Sequence, residues 1–207
     1  MGLAGALLHR NAFCFDATPY VSLIPLEVHI GKDLWSYPNL EGFPEELSAI
    51  YRVKVEVVEP YSITSGNDAS EVLHAVREAG YGHALALTRA PIKVKLSEED
   101  IKKRIAEGGT ELEGWRIGVS GLAESPGTAA VVTDYWRGRG VPKDIAHNRL
   151  LEVMVHELGH NFGADDCDDR GCNMHSNPTA KVRRLDAPIG VYCERHYDFL
   201  RDWLRIV

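Results

Sequence analysis

Apolar and polar positions along the first half of the chain recur with two different periods. From Val21 the run VSLIPLEVHI is apolar and β-branched, the character of a strand, and FPEELSAIYR, with Pro44 early and acids in its first turn, predicts a helix start. VKVEVVEPY alternates with the period of two expected of a second strand. Between Asp68 and Ala79, the residues Val72, Val76 and Ala79 share one helical face and Gly80 follows, so a second helix is predicted there. HALALTRAPIKV reads as the next strand. The order β, α, β, α, β predicts a mixed sheet with parallel pairs and helices packed on it.

Residues Ser97 to Gly114 form a charged stretch with a short helix in SEEDIKKRIAE, expected as a solvated surface excursion. Two further strands, RIGVSGLAE and AAVVTDYW, precede a turn from Arg137 to Pro142 and a long helix from about Pro142 to Phe162. Beyond Gly163 the regular pattern stops and the chain becomes rich in Cys, His and Asp. The organisation expected is an N-terminal extension over residues 1–20, a sheet-and-helix lobe over 21–163, and a loop-rich lobe over 164–207 within one compact domain. In fold class this is α/β (α+β).

Composition narrows what such a domain does. At 207 residues, 44% hydrophobic and 26% charged, the chain can bury a real core without leaning on disulfides, and collagen-like or largely disordered classes are excluded. Thirty acidic side chains against 23 basic ones give a formal charge of -7, the wrong sign for a partner built on a phosphate backbone. No apolar run approaches the roughly 18 residues of a membrane-spanning helix. The apolar opening MGLAGALL lacks a basic stretch before it and stops at His9 and Arg10, so a cytoplasmic location is expected. Of the four cysteines, Cys167, Cys172 and Cys193 crowd beside histidines in the last quarter, a pattern that in a reducing compartment points to metal. Cys14 is left over as a buried or merely tolerated thiol.

The long helix carries His156, Glu157 and His160 in the order His-Glu-Leu-Gly-His. Residues four apart lie on one helical face, so both imidazoles can reach one cation from the same side. Glu157 then projects where it can touch a water on that cation without binding the metal. A zinc ion held by three protein ligands lowers the pKa of its water toward about 7, and a nearby carboxylate can take the proton as the water attacks a peptide carbonyl. Taken alone, the five residues also suit a helix that happens to expose two histidines and a glutamate. The apolar neighbours Val153, Met154, Val155 and Leu158 favour a buried helix instead, in which those polar groups need a partner.

Gly163 follows His160 by three residues and Asp166 follows Gly163 by three. A glycine there permits the left-handed backbone that ends a helix and turns the chain back toward the metal. At this point the sequence resembles the metzincin clan, whose extended motif places the third ligand where Asp166 stands, and within it looks like an archaemetzincin. Cys167, four residues, Cys172, one residue, Met174, then eighteen residues before Cys193-Glu194-Arg195-His196, track that family's arrangement. Gly121-Leu122-Ala123 and the following VVTDYW look like its last two sheet strands.

The resemblance implies a zincin fold, a twisted mixed sheet with an active-site helix and a small C-terminal lobe, and two zinc sites. The first comprises His156, His160 and Asp166, with Glu157 as general base. The second, structural site comprises Cys167, Cys172, Cys193 and His196. Met174 would form an apolar floor under the histidines. Two residues depart from the family: Asp166 stands where histidine is usual, and His196 replaces the last cysteine. Cys₃His is an accepted structural zinc set, and a carboxylate is a competent ligand that makes the metal's water less acidic. His175 is expected to be solvated, and His9, His29, His74, His83 and His147 to hold surface or satisfied-core roles.

These features predict a zinc metallopeptidase acting as a monomer on a peptide or protein, with neither nucleic acid nor membrane as partner. The substrate would lie extended along an edge strand such as RIGVSGLAE. A metal-depleted homologue that keeps the structural zinc and serves as a peptide-binding scaffold is the alternative that Asp166 leaves open. A zinc-knuckle nucleic-acid binder has no basic patch to support it, because Asp165, Asp166, Asp168 and Asp169 flank the cysteines.

Overall fold

A computed structural model describes residues 26–31, 42–61, 68–79, 82–88, 91–108, 116–119, 121–133, 142–175 and 189–206. The expected N-terminal extension with His9 and Cys14, and the turn from Arg137, lie outside these residues.

Five strands build the main sheet: β1 (Leu26–Gly31), β2 (Val55–Tyr61), β3 (His83–Thr88), β6 (Gly121–Ala123) and β7 (Ala129–Thr133). Their order is β2-β1-β3-β7-β6, with only the β6–β7 pair antiparallel. Parallel strands joined by helices are covered on both faces, which is why β7 is buried along its whole length and β3 at every position after His83. The side chains of the two central strands divide between two cores. Leu85, Leu87, Ala130 and Val132 face the larger core, shared with helices α1 (Phe43–Tyr51) and α4 (Lys143–Asn161). Ala84, Ala86, Ala129 and Val131 face the smaller core formed with α2 (Ala69–Ala79). Alternation along a strand thus assigns one helix layer to each face.

The local signals act as expected at the helix starts. Pro44 sits in the first turn of α1 with Glu45 and Glu46 beside it, where a missing N–H costs nothing and acids meet the positive end of the dipole. Ser97 caps α3 (Glu98–Ala106), accepting from the Asp100 N–H at 3.1 Å, and no residue of this charged helix is buried. The excursion that carries it is bracketed by a separate antiparallel pair, β4 (Ile92–Lys95) and β5 (Arg116–Val119). No helix among the described residues is long and apolar enough to cross a membrane.

Three elements differ from the sequence reading. HALALTRAPIKV is two strands, β3 and β4, in different sheets, and RIGVSGLAE is likewise divided into β5 and β6. Strand partners outside each segment, not the pattern within it, make that division. The chain beyond Gly163 is not wholly irregular: α5 (Glu194–Ile206) returns to the main core, where Leu200 is fully buried and Trp203 stacks on Phe162 with ring centroids 4.5 Å apart. Packing of one apolar stripe stabilises a helix whose other faces are charged.

The core also grips α4 directly. The Tyr51 hydroxyl donates to the Val155 carbonyl at 2.5 Å, and the Tyr192 hydroxyl lies 2.7 Å from that of Tyr51. Both phenols are buried, and burial holds their pKa well above the usual tyrosine value, so they remain neutral donors. Asn161, the last residue of α4, donates to the carbonyls of Glu124 and Ala129 and so fixes the helix to the β6–β7 hairpin.

Candidate metal centre

Helix α4 ends in a turn that decides the geometry beyond it. Gly163 adopts φ +90°, its N–H bonds the His160 carbonyl at 2.8 Å, and the Ala164 N–H bonds the Gly159 carbonyl at 2.9 Å. These paired bonds satisfy the last helix carbonyls, and the left-handed residue between them favours glycine. The turn folds the Ala164 carbonyl back onto His160, whose Nδ1 lies 2.8 Å from it. The Nδ1 of His156 lies 2.9 Å from the Asn173 carbonyl.

A carbonyl can only accept, so both imidazoles carry their protons on Nδ1 and present bare Nε2 atoms. Those two Nε2 atoms are 3.1 Å apart, and Oδ1 of Asp166 lies 3.7 Å from that of His156 and 3.5 Å from that of His160. Two facing lone pairs and a carboxylate oxygen repel one another unless a cation lies among them. The donor set therefore fits a divalent metal, with each histidine oriented through its second nitrogen as metal-binding histidines usually are. Asp166 remains exposed, leaving that side of the group open.

Glu157 does not join this trio. It is buried, and a β-carbon on Gly121 of β6 would lie 2.5 Å from its Oε1. Burial, and secondly the charge of Asp166, push the Glu157 carboxyl up to about 8. Beneath the helix, Met174 is fully buried, and its sulfur occupies the space that a side chain at Gly159 would need. Both glycines are thus required by close approach. Gly121 escaped the sequence reading as a site residue, although a glycine inside a strand is a recognised sign of such contact.

A second cluster lies immediately downstream. Ligand atoms of Cys167, Cys172, Cys193 and His196 all fall within 4.8 Å of one another. The Cys167 and Cys193 sulfurs are 3.8 Å apart, and Nδ1 of His196 is 3.0 Å from the Cys193 sulfur and 3.6 Å from that of Cys172. The three thiols are free. Burial pushes the Cys172 thiol up to about 12, so a thiolate there needs a nearby cation. Burial, followed by the Arg195 charge, lowers the pKa of His196 and keeps its ring neutral, the form that binds metal. Three sulfurs and one imidazole nitrogen in a closed group fit zinc.

The remaining histidines depart from expectation at two positions. His175 is half-buried, and its Nδ1 bonds the Cys167 carbonyl at 2.7 Å, so it closes the loop that carries Cys167 and Cys172 instead of facing solvent. His83, expected to be satisfied, has a buried Nδ1 with no hydrogen-bond partner, because its ring is enclosed edge-on by Phe162 and Trp203. His147 meets expectation, stacking on Phe43 with its Nε2 2.9 Å from Glu46. His74 accepts from Arg77 at 2.8 Å. The side chain of His29 lies outside the described residues.

No family model matches the chain. It is 32% identical over 87 residues to an archaemetzincin of Halobacterium salinarum, a match covering 37% of this chain and only half (50%) of that relative. To an archaemetzincin of Haloarcula marismortui it is 26% identical over 157 residues, covering 68% of this chain and 79% of the relative. Among solved structures, an archaemetzincin from Methanopyrus kandleri superposes with a TM-score of 0.59 over 88% of this chain and 96% of that one, at 24% identity. The fold is that of an archaemetzincin, and the resemblance extends to sequence.

Proposed function

We propose that this chain, built on the archaemetzincin fold, is a zinc metallopeptidase that hydrolyses peptide bonds. His156, His160 and Asp166 would hold a catalytic zinc, and Cys167, Cys172, Cys193 and His196 a structural one. The observation that carries this reading is the convergence of two bare Nε2 atoms, 3.1 Å apart, with the Asp166 carboxylate 3.5 and 3.7 Å away. When bound, the cation supplies Lewis-acid polarisation of the scissile carbonyl and makes a water acidic near neutral pH.

The chain's own groups supply the rest. Glu157 accepts a proton from the attacking water at its carboxylate and passes it to the departing amine nitrogen. Its burial raises its proton affinity toward the working pH, which suits a relay that must both take and give. Met174 and Gly159 set the height of the histidines over the floor of the site. The outer edge of β6, unpaired among the described strands, offers backbone N–H and C=O groups to an extended peptide beside α4. A peptide held there is oriented without a demand on its sequence. Of the segment expected as the edge strand, the β6 portion adjoins the site through the contact of Gly121 with Glu157.

Zinc content and hydrolysis of a mixed peptide library test this together. The expected result is two zincs per chain and measurable cleavage, with Glu157→Gln abolishing cleavage while both zincs remain. Loss of zinc with activity would make Glu157 a ligand. A parent that takes up one zinc at excess metal and cleaves nothing would instead be a scaffold.

A further inference from the structure

His196 uses both ring nitrogens, and they act in different groups. Its Nδ1 faces the sulfurs of Cys193 and Cys172 at 3.0 and 3.6 Å, while its Nε2 lies 3.0 Å from the carbonyl of Asp165. Because a carbonyl accepts, the proton resides on Nε2, and the lone pair on Nδ1 is directed at the thiols. The Arg195 guanidinium stands 3.2 Å from the same Nε2, where no lone pair remains for it, and donates to the Asp166 carbonyl at 3.4 Å.

The segment so held is the one that carries Asp166. His156 and His160 are each oriented by a hydrogen bond through Nδ1. The Asp166 carboxylate, 57% exposed, has only the two imidazoles as described partners. Its position is therefore set by backbone. On one side Ala164 is tied to Gly159 and His160, and on the other the Cys167 N–H bonds the Met174 carbonyl at 2.7 Å. Between these ties, the His196 bond fixes the peptide that directly precedes Asp166.

We infer that His196 is a positioning residue for Asp166, through which metal bound at the Cys167, Cys172, Cys193 and His196 group raises the affinity of His156, His160 and Asp166 for a second metal. The inference rests on the metal-binding reading of both groups. A thiol at position 196 would supply a ligand but no second donor, so ligation and positioning separate in one substitution. Metal at the thiol group fixes the ring by its Nδ1, and the ring fixes Asp165 by its Nε2. Coupling of this kind is reciprocal, so occupancy of the second group tightens the first by the same factor.

The experiment uses cobalt(II), whose thiolate charge-transfer absorption reports the first group alone. His196→Cys should keep that absorption, since four thiolates also make a closed site. The dissociation constant for the second cobalt should rise roughly tenfold, the scale seen when a group supporting a metal ligand is lost. Amide hydrogen exchange across residues 163–166 in the one-metal protein should quicken as well. A variant with the parent's second dissociation constant and the parent's exchange overturns the inference. Should His196→Cys lose the thiolate absorption through misfolding, the parent decides: filling the thiol group should slow exchange across 163–166, and unchanged exchange overturns the tether. A parent that never binds a second metal overturns the peptidase reading and the affinity effect together, and the exchange comparison then judges the tether by itself.

Discussion

Gly121 on strand β6 and Glu157 on helix α4 are in direct contact: a β-carbon added to the glycine would lie 2.5 Å from Oε1 of the glutamate and 2.6 Å from its Cγ. The bare backbone of the edge strand is thus the wall against which the carboxylate rests. Gly121→Ala must push that carboxylate aside, and displacement by about an ångström can cost on the order of 100-fold in rate. The expected variant keeps two zincs per chain, loses about 1–3 kcal/mol of stability to overpacking, and falls in kcat far more than in metal content. An unchanged kcat would mean that the glycine does not place Glu157.

Cys172 is nearly fully buried beside the ligand atoms of Cys193 and His196. Removing its sulfur leaves three donors for a group whose metal, on the proposed reading, would contribute to folding. Cys172→Ser is expected to lower the melting temperature by on the order of 10 °C, given about 2–4 °C per kcal/mol for a chain of this size. Zinc analysis should find the thiol-bound metal lost. A variant that melts like the parent and keeps its zinc would remove Cys172 from the ligand set.

What the sequence reveals and what it hides have separate physical origins. On α4, His156 and His160 are legible because four-residue spacing fixes their common face whatever surrounds the helix, and Glu157 because it stands next to the first of them. Gly163 is legible for a similar reason, since the turn it makes is local. The separation of RIGVSGLAE is not local: β5 pairs with β4 and β6 with β7, and nothing within the nine residues records which partner each half will find. In α5, Tyr197, Leu200 and Trp203 do form a stripe, but it is short, and Cys193 and His196 at the start of the helix share the Cys/His/Asp character of the loop before it. The second hydrogen bond of His196 depends on where Asp165 comes to lie, a tertiary fact without a sequence signature.

His83 supplies a pH effect independent of the metal groups. Its ring is flanked by Phe162 and Trp203, its Nδ1 is buried without a partner, and burial lowers its pKa from the ordinary value. The folded chain therefore holds it neutral, while the unfolded chain takes up a proton below about pH 6.5. The stability due to the neutral ring is complete above that pH and is lost as the pH falls through the lowered folded value. Between pH 7 and 5 the parent should lose a few degrees more in melting temperature than His83→Phe, which keeps the aromatic contacts without a titrating group. Parallel curves for the two proteins would exclude His83 as the cause.

Asp166 is where a single substitution should move metal affinity and proton chemistry together. Its Oδ1 lies 3.5 and 3.7 Å from the two imidazoles, and its negative charge is the second cause, after burial, of the raised pKa of Glu157. Asp166→Ala removes a donor and should release the catalytic zinc. Asp166→His replaces an anion by a neutral ligand at an exposed position that leaves the longer side chain room. The metal group then carries one more positive charge, which favours ionisation of a water there, and Glu157 loses the neighbouring negative charge that favours its protonated form. Both changes act in the same direction, so the acid limb of the pH–rate profile should move to lower pH in Asp166→His. Zinc content and cleavage rate across pH 5 to 9, the window that brackets the Glu157 value of about 8, check this for the parent and both variants. A limb that stays fixed in Asp166→His while zinc is retained would show that the carboxylate neither binds the metal nor governs the base.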